Sequence, residues 1–140
     1  MSLLNQKTIK NSVKFQGIGL HSGKLVNVCL KSSKPDSGIV FKRVDLKGDN
    51  FVYPNFMNVT NTSLNTTISN ADGIKISTIE HLMGALFGLG VDNVLVEIDN
   101  EEVPILDGSA KEFIEKILSA GFEVSNKPIK IIKINKKIEF

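Results

Sequence analysis

A carboxylate and an imidazole stand side by side at Glu80 and His81, in the stretch Ile76-Ser77-Thr78-Ile79-Glu80-His81-Leu82. A neutral imidazole binds a divalent metal, and a neighbouring carboxylate can take a proton from a water molecule that the metal polarises. The pair could therefore supply half of a hydrolytic zinc site. The other half has to come from elsewhere, since His21 and His81 are the only 2 histidines in the chain and a catalytic zinc normally takes three protein ligands plus water. The same residues admit a structural reading. Ser77-x-x-Glu80 is a capping-box pattern, in which the glutamate bonds back to the Ser77 amide for about 1 kcal/mol. His81 could equally be a helix-surface or satisfied core histidine.

Two further segments carry polar groups at suggestive spacing. Gly17-Ile18-Gly19-Leu20-His21-Ser22-Gly23-Lys24 invites comparison with a phosphate-cradling loop. The comparison fails, because such a loop needs four residues between its glycines and Ser or Thr after the lysine, whereas Gly19 and Gly23 enclose three and Leu25 follows Lys24. What is left is a glycine-rich turn between strands that presents His21, Ser22 and Lys24 to solvent, where they could meet an anionic or sugar ligand. In Val103-Pro104-Ile105-Leu106-Asp107-Gly108-Ser109, the aspartate and serine read as turn and cap residues without chemistry of their own.

The elements that must position these groups follow from hydrophobic period. Val26, Val28 and Leu30 share one face of a strand over 25–30, and a second strand over 39–44 follows the turn Pro35-Asp36-Ser37-Gly38, which predicts a hairpin. Residues 45–70 are rich in Asn, Thr, Gly and Asp, a long irregular connection with one or two short strands. From Ser77 the period turns helical through Ile79, Leu82, Met83 and Leu86, with Gly88 and Gly90 as stops. Gly84, Ala85 and Gly88 leave that helix thin on one side, for close approach of a substrate or for tight packing on a sheet. Val94 to Ile98 is an apolar strand, and Val103-Pro104-Ile105 a short return segment. Ala110, Phe113, Ile114, Ile117 and Leu118 form a second amphipathic helix, capped by a Ser109/Glu112 box and stopped by Gly121. Two helices on a mostly antiparallel sheet make a two-layer α+β sandwich. Ser125 to Pro128 reads as a linker, and Ile129 to Phe140 as a terminal strand in which isoleucines alternate with lysines. The expected organisation is one sandwich over 1–126, with 127–140 as linker and opening strand of a second unit that the chain lacks.

Composition bounds the function. The 140 residues suffice for one domain with a real core, and 41% apolar with 23% charged residues is ordinary for a soluble domain. A net charge of +2, with the late lysines interleaved among isoleucines, argues against a nucleic-acid partner. Cys29 is the only cysteine, which excludes an internal disulfide and any cysteine-built zinc site within one chain and fits a reducing, cytoplasmic setting. No run reaches the ~20 apolar residues of a membrane span. Asn58, Asn61 and Asn65 head Asn-x-Ser/Thr triplets, read here as turn chemistry.

Taken in order, Gly17-Ile18-Gly19-Leu20-His21-Ser22-Gly23, Ser77-Thr78-Ile79-Glu80-His81-Leu82, Gly88-Leu89-Gly90-Val91-Asp92-Asn93 and Val103-Pro104-Ile105-Leu106-Asp107-Gly108-Ser109-Ala110 closely resemble the LpxC family, the zinc-dependent UDP-3-O-acyl-N-acetylglucosamine deacetylases of lipid A biosynthesis. Each motif is weak alone; four in matching order and spacing are specific. The resemblance implies two similar α+β sandwiches joined face to face, with the active site between them. It implies that His81 is a zinc ligand and Glu80 the general base that accepts a proton from the water attacking the acetamide carbonyl, a role worth typically about 10² to 10⁴ in rate. It puts His21 on the substrate side of the cleft, with Leu64 and Thr66 in a loop next to the site, and it leaves Asn65 where the family often has cysteine.

The same resemblance implies that the remaining zinc ligands, a histidine and an aspartate, and a further catalytic histidine lie in a second sandwich. The expectation is a UDP-sugar acyl substrate, Zn²⁺ as cofactor, at most peripheral membrane contact, and a 140-residue chain that is catalytically incomplete. The alternative is a non-catalytic domain that uses the His21 loop to bind a nucleotide sugar or a protein.

Overall fold

The computed structural model describes residues 4–139. Strands β1 (Asn5–Ile9), β2 (Val13–Ile18), β3 (Leu25–Ser32), β4 (Ile39–Arg43) and β5 (Phe51–Val52) are followed by a single 3₁₀ turn over Phe56–Asn58. Then come β6 (Val59–Asn61), β7 (Thr67–Ser69), β8 (Lys75–Ile76), helix α1 (Glu80–Gly88), β9 (Val94–Ile98), helix α2 (Lys111–Ala120) and β10 (Phe122–Pro128). The main sheet has the order β2-β3-β9-β4-β5, and β9 runs antiparallel to β3 but parallel to β4. A three-stranded sheet β6-β7-β8 and a two-stranded pair β1-β10 complete the strand layer.

Period-2 burial makes the sheet one-sided. Phe15, Val26, Val28 and Leu30 point into the core, while Lys14, Gln16, Asn27 and Lys31 alternate outward. The two helices cover the inner face with Leu82, Ala85 and Leu86 from α1 and Phe113, Ile117 and Ala120 from α2, all in one buried cluster with Val96 and Ile98 of β9. Phe15 and Phe113 meet edge to face with ring centroids 5.3 Å apart, which ties α2 to β2. This is the expected two-layer α+β sandwich. Among the described residues no helix is long and apolar enough to cross a membrane.

Four local expectations fail. The predicted hairpin of 25–30 with 39–44 does not form, because β9 inserts between β3 and β4, pairing Val28 with Ile98 and Phe41 with Val96. A buried apolar strand stabilises the sheet most in its centre, and sequence adjacency cannot reveal that. The helix expected from Ser77 begins at Glu80. Ser125 to Pro128 is not a linker but the end of β10, which pairs with β1. Residues 129–139 form no strand and are exposed from Lys130 onward; Phe140 lies outside the described residues.

Candidate active site

The start of α1 is set by Thr78. This buried, β-branched residue adopts a left-handed backbone with φ +55°, a conformation that costs of order 1–3 kcal/mol and persists only where its surroundings enforce it. Its neighbour Ser77 is anchored against the segment after β9. The Ser77 amide donates to the Glu101 carbonyl at 2.8 Å, its carbonyl accepts from the Val103 amide at 3.0 Å, and its hydroxyl donates to the Glu101 carbonyl at 3.2 Å. The expected Ser77/Glu80 capping box is therefore absent, and no side chain caps α1. The Ser109/Glu112 box is likewise absent. Ser109 Oγ donates to Asp107 and accepts from the Lys111 amide, and Ser109 donates from both its amide and its hydroxyl to the Asp107 carboxylate.

Freed from capping, Glu80 turns toward the loop before β7, where its Oε2 accepts a hydrogen bond from the Thr66 amide at 3.1 Å. Thr66 thus touches the proposed base directly. Leu64 lies two residues earlier at φ +65° and is 90% exposed. Asn65 Oδ1 accepts from the Thr67 hydroxyl at 2.8 Å and Asn61 Oδ1 from the Ser63 amide at 2.8 Å, which bears out the reading of these asparagines as turn chemistry. His81 is half-buried on the first turn of α1 beside Glu80.

His21 sits exposed at the tip of the β2–β3 turn. The turn closes on itself through Gly23 N to Gly19 O and Gly19 N to Lys24 O, both 2.9 Å. It faces the small sheet across a polar cleft of about 380 Å³ lined by His21, Ser22, Asn61, Asn65, Thr67 and Glu102. The structure therefore groups the predicted residues in two neighbouring sets, His21 in the cleft and Glu80 with Thr66 at the helix start. A larger hollow of about 730 Å³ lies on the outward face of β2, β3 and β9. Its lining mixes Phe15, Val28 and Val44 with a Lys31–Glu97 ion pair at 2.7 Å and contains none of the predicted site residues.

Sequence reasoning missed Glu102. Only 2% exposed, its carboxylate accepts hydrogen bonds from the His21 amide (Oε1, 2.9 Å), the Ser22 amide (Oε2, 2.7 Å) and the Thr78 hydroxyl (Oε1, 3.0 Å). Burial pushes its carboxyl upward, but the Ser22 hydroxyl, together with these donors, outweighs that effect and holds it below the usual range. Glu101-Glu102 after the turn at Asp99-Asn100 reads as solvated charge; the one hint is that Glu102 abuts the apolar Val103-Pro104-Ile105. Its presence explains one glycine of the His21 turn, Gly19. A Cβ on Gly19 would overlap Ser22 Oγ and the Glu102 carboxylate, and one on Gly17 would lie 2.9 Å from Pro104 Cβ.

A zinc ion is accommodated only in part by these residues. His81 offers an imidazole and Glu80 a carboxylate beside it, but among the described residues no group of three or more His, Cys, Asp or Glu side chains could hold a metal ion.

The fold is thus a sheet-and-helix sandwich whose first helix opens on a Glu-His pair. The family profile described as "LpxC: UDP-3-O-acyl N-acetylglycosamine deacetylase" matches residues 6–140, and the chain belongs to this family. It is 48% identical over 137 residues to the UDP-3-O-acyl-N-acetylglucosamine deacetylase of Pseudoalteromonas atlantica, covering 98% of this chain and 45% of that protein. It is 46% identical over 136 residues to the protein of the same name from Teredinibacter turnerae, covering 97% of this chain and 45% of the relative. The chain thus spans about half the length of the curated relatives it matches.

Proposed function

We propose that this chain is the N-terminal sandwich of a zinc-dependent hydrolase that removes the acetyl group from a UDP-3-O-acyl-N-acetylglucosamine. The observation that carries the reading is the Glu80-His81 pair at the first turn of α1, with Glu80 tethered to Thr66, in a chain that matches the deacetylase family over residues 6–140. A zinc ion held in part by His81 supplies Lewis acidity to the acetamide cleavage. Glu80 accepts the proton of the attacking water. One of its oxygens is oriented by the Thr66 amide. His21, Leu64 and Thr66 lie on the substrate side, the first across the polar cleft and the other two in the loop that leads to Glu80.

The missing donors come, on this reading, from a second sandwich. Residues 127–140 lead toward it, and their exposed isoleucines, Ile131, Ile132, Ile134 and Ile138, gain cover there. The protein works in the cytoplasm, has no nucleic-acid partner, and touches the membrane at most peripherally. The 140 residues alone are inactive. Acetate release from the UDP-sugar substrate, measured with added zinc, tests this. The expected result is turnover by the polypeptide as its gene encodes it and none by the 140 residues; robust turnover by the latter overturns the claim of incompleteness.

A further inference from the structure

We propose that Glu102 is a positioning residue that couples the His21 turn to the start of α1, so that the substrate-side histidine and the Glu80-His81 pair keep a fixed relation. The inference rests on the deacetylase reading above and adds a residue which that reading does not use.

Three observations converge on it. One carboxylate takes donors from two elements far apart in sequence, the amides of His21 and Ser22 on the β2–β3 turn and the hydroxyl of Thr78 two residues before Glu80. Both loop donors are backbone groups, so they fix where the turn sits and leave the His21 ring free to point into the cleft. The peptide that carries Glu102 is itself clamped. Glu101 O accepts from Ser77 N at 2.8 Å and Val103 N donates to Ser77 O at 3.0 Å, which holds the carboxylate beside Thr78. Thr78 needs an external constraint because its left-handed backbone is disfavoured for a β-branched residue. Gly19 clears the space through which the carboxylate reaches the turn.

A core brace without functional role would also bury a satisfied carboxylate, so the test must separate the two. Glu102→Gln preserves shape, but whichever way the amide turns, an NH₂ group faces the His21 or the Ser22 amide and one donor loses its acceptor. Steady-state kinetics on the polypeptide as its gene encodes it should give a KM for the UDP-sugar raised about tenfold or more by Glu102→Gln, a smaller change in kcat, and unchanged bound zinc. His21→Ala should raise KM as well. The His21→Ala/Glu102→Gln double variant should be no worse than the weaker-binding single variant, because Glu102 acts through the His21 turn. If Glu102→Gln does not fold, Thr78→Val, which removes one donor and keeps the carboxylate, enters the same cycle with an expected two- to fivefold effect. Additive losses, or a KM within twofold of wild type in the folded variants, overturn the coupling alone. Absence of acetate release by the wild-type polypeptide overturns the deacetylase reading and the coupling with it.

Discussion

Thr66 and Glu80 are joined by one hydrogen bond, the Thr66 amide donating to Glu80 Oε2 at 3.1 Å, while the Thr66 carbonyl accepts a longer bond from the neighbouring Ile79 amide at 3.5 Å. The loop carrying Leu64 and Asn65 is thereby hung on the first turn of α1. The glutamate in turn is oriented by a group that cannot itself take its proton.

Glu80→Gln follows directly from that geometry. The glutamine carbonyl still accepts from Thr66, while the basic oxygen is lost. Deacetylation by the polypeptide as its gene encodes it should fall by about 10² to 10⁴, with unfolding free energy unchanged within about 0.5 kcal/mol. Acetate release together with urea unfolding checks both. A variant that keeps most of the wild-type rate removes Glu80 from the role of base.

Gly19→Ala puts a methyl group where Ser22 Oγ and the Glu102 carboxylate already lie. The contact is with a turn closed by two backbone hydrogen bonds and with a buried carboxylate, so relief requires the turn to move outward. Overpacking of this kind costs about 1–3 kcal/mol, measurable by denaturant unfolding, and the displaced His21 should raise KM more than it lowers kcat. Gly23→Ala in the same turn meets no neighbouring atom. At φ +65° it should cost only the backbone penalty of about 1 kcal/mol.

How far the sequence discloses this molecule depends on the range of the interaction. Val94 to Ile98 and the helix from Lys111 are legible because burial on one face imposes a period that the local sequence must carry. The insertion of β9 between β3 and β4 is not legible, since the pairs Val28–Ile98 and Phe41–Val96 link residues more than fifty positions apart and leave no local mark. The two capping boxes misled for a related reason. Their pattern is local, yet Glu80 and Ser77 are claimed by Thr66 and Glu101 from elsewhere in the fold, and Ser109 is taken by Asp107 in the turn before the helix. Motif order singled out Glu80, His81 and His21 as candidates, through the family resemblance alone. Glu102 escaped because a glutamate after a turn looks the same whether water or three donors satisfy it.

Acid should weaken the fold in a defined window. Arg43 donates through Nε to Asp45 Oδ1 at 2.8 Å and through Nη2 to Oδ2 at 2.7 Å, while Nη1 reaches the Lys75 carbonyl at 3.1 Å and ties β8 to β4. The Arg43 hydrogen bonds hold the Asp45 carboxyl below its ordinary value. A depressed folded-state pKa means that the native protein binds fewer protons than the unfolded chain. The stability this pair contributes is therefore fully present above the unfolded value of about 3.9 and is lost as pH falls through the folded value. Glu102 has the same sign. Unfolding free energy should decline below about pH 4, and Asp45→Asn should flatten that decline. At pH 7 the variant should be less stable by about 0.5–1 kcal/mol, because Asp45 is exposed and water screens the pair. An unchanged slope in the variant shows that other carboxylates govern acid unfolding.

Zinc uptake separates His81 as a ligand from His81 as a surface residue. Within the described residues it has no partners with which to form a three-donor set, and metal affinity depends on several deprotonated donors being held together before the ion arrives. The 140 residues should therefore retain substoichiometric zinc after dialysis against a weak chelator. The polypeptide as its gene encodes it should retain one equivalent if the remaining donors lie beyond this chain. In that longer form His81→Ala should lower zinc affinity by at least tenfold without unfolding the sandwich, because the half-buried ring on α1 is not among the buried core residues. A stoichiometric zinc that survives His81→Ala, measured by metal analysis of the dialysed protein, assigns the ligand role to other residues and leaves His81 a helix-surface histidine.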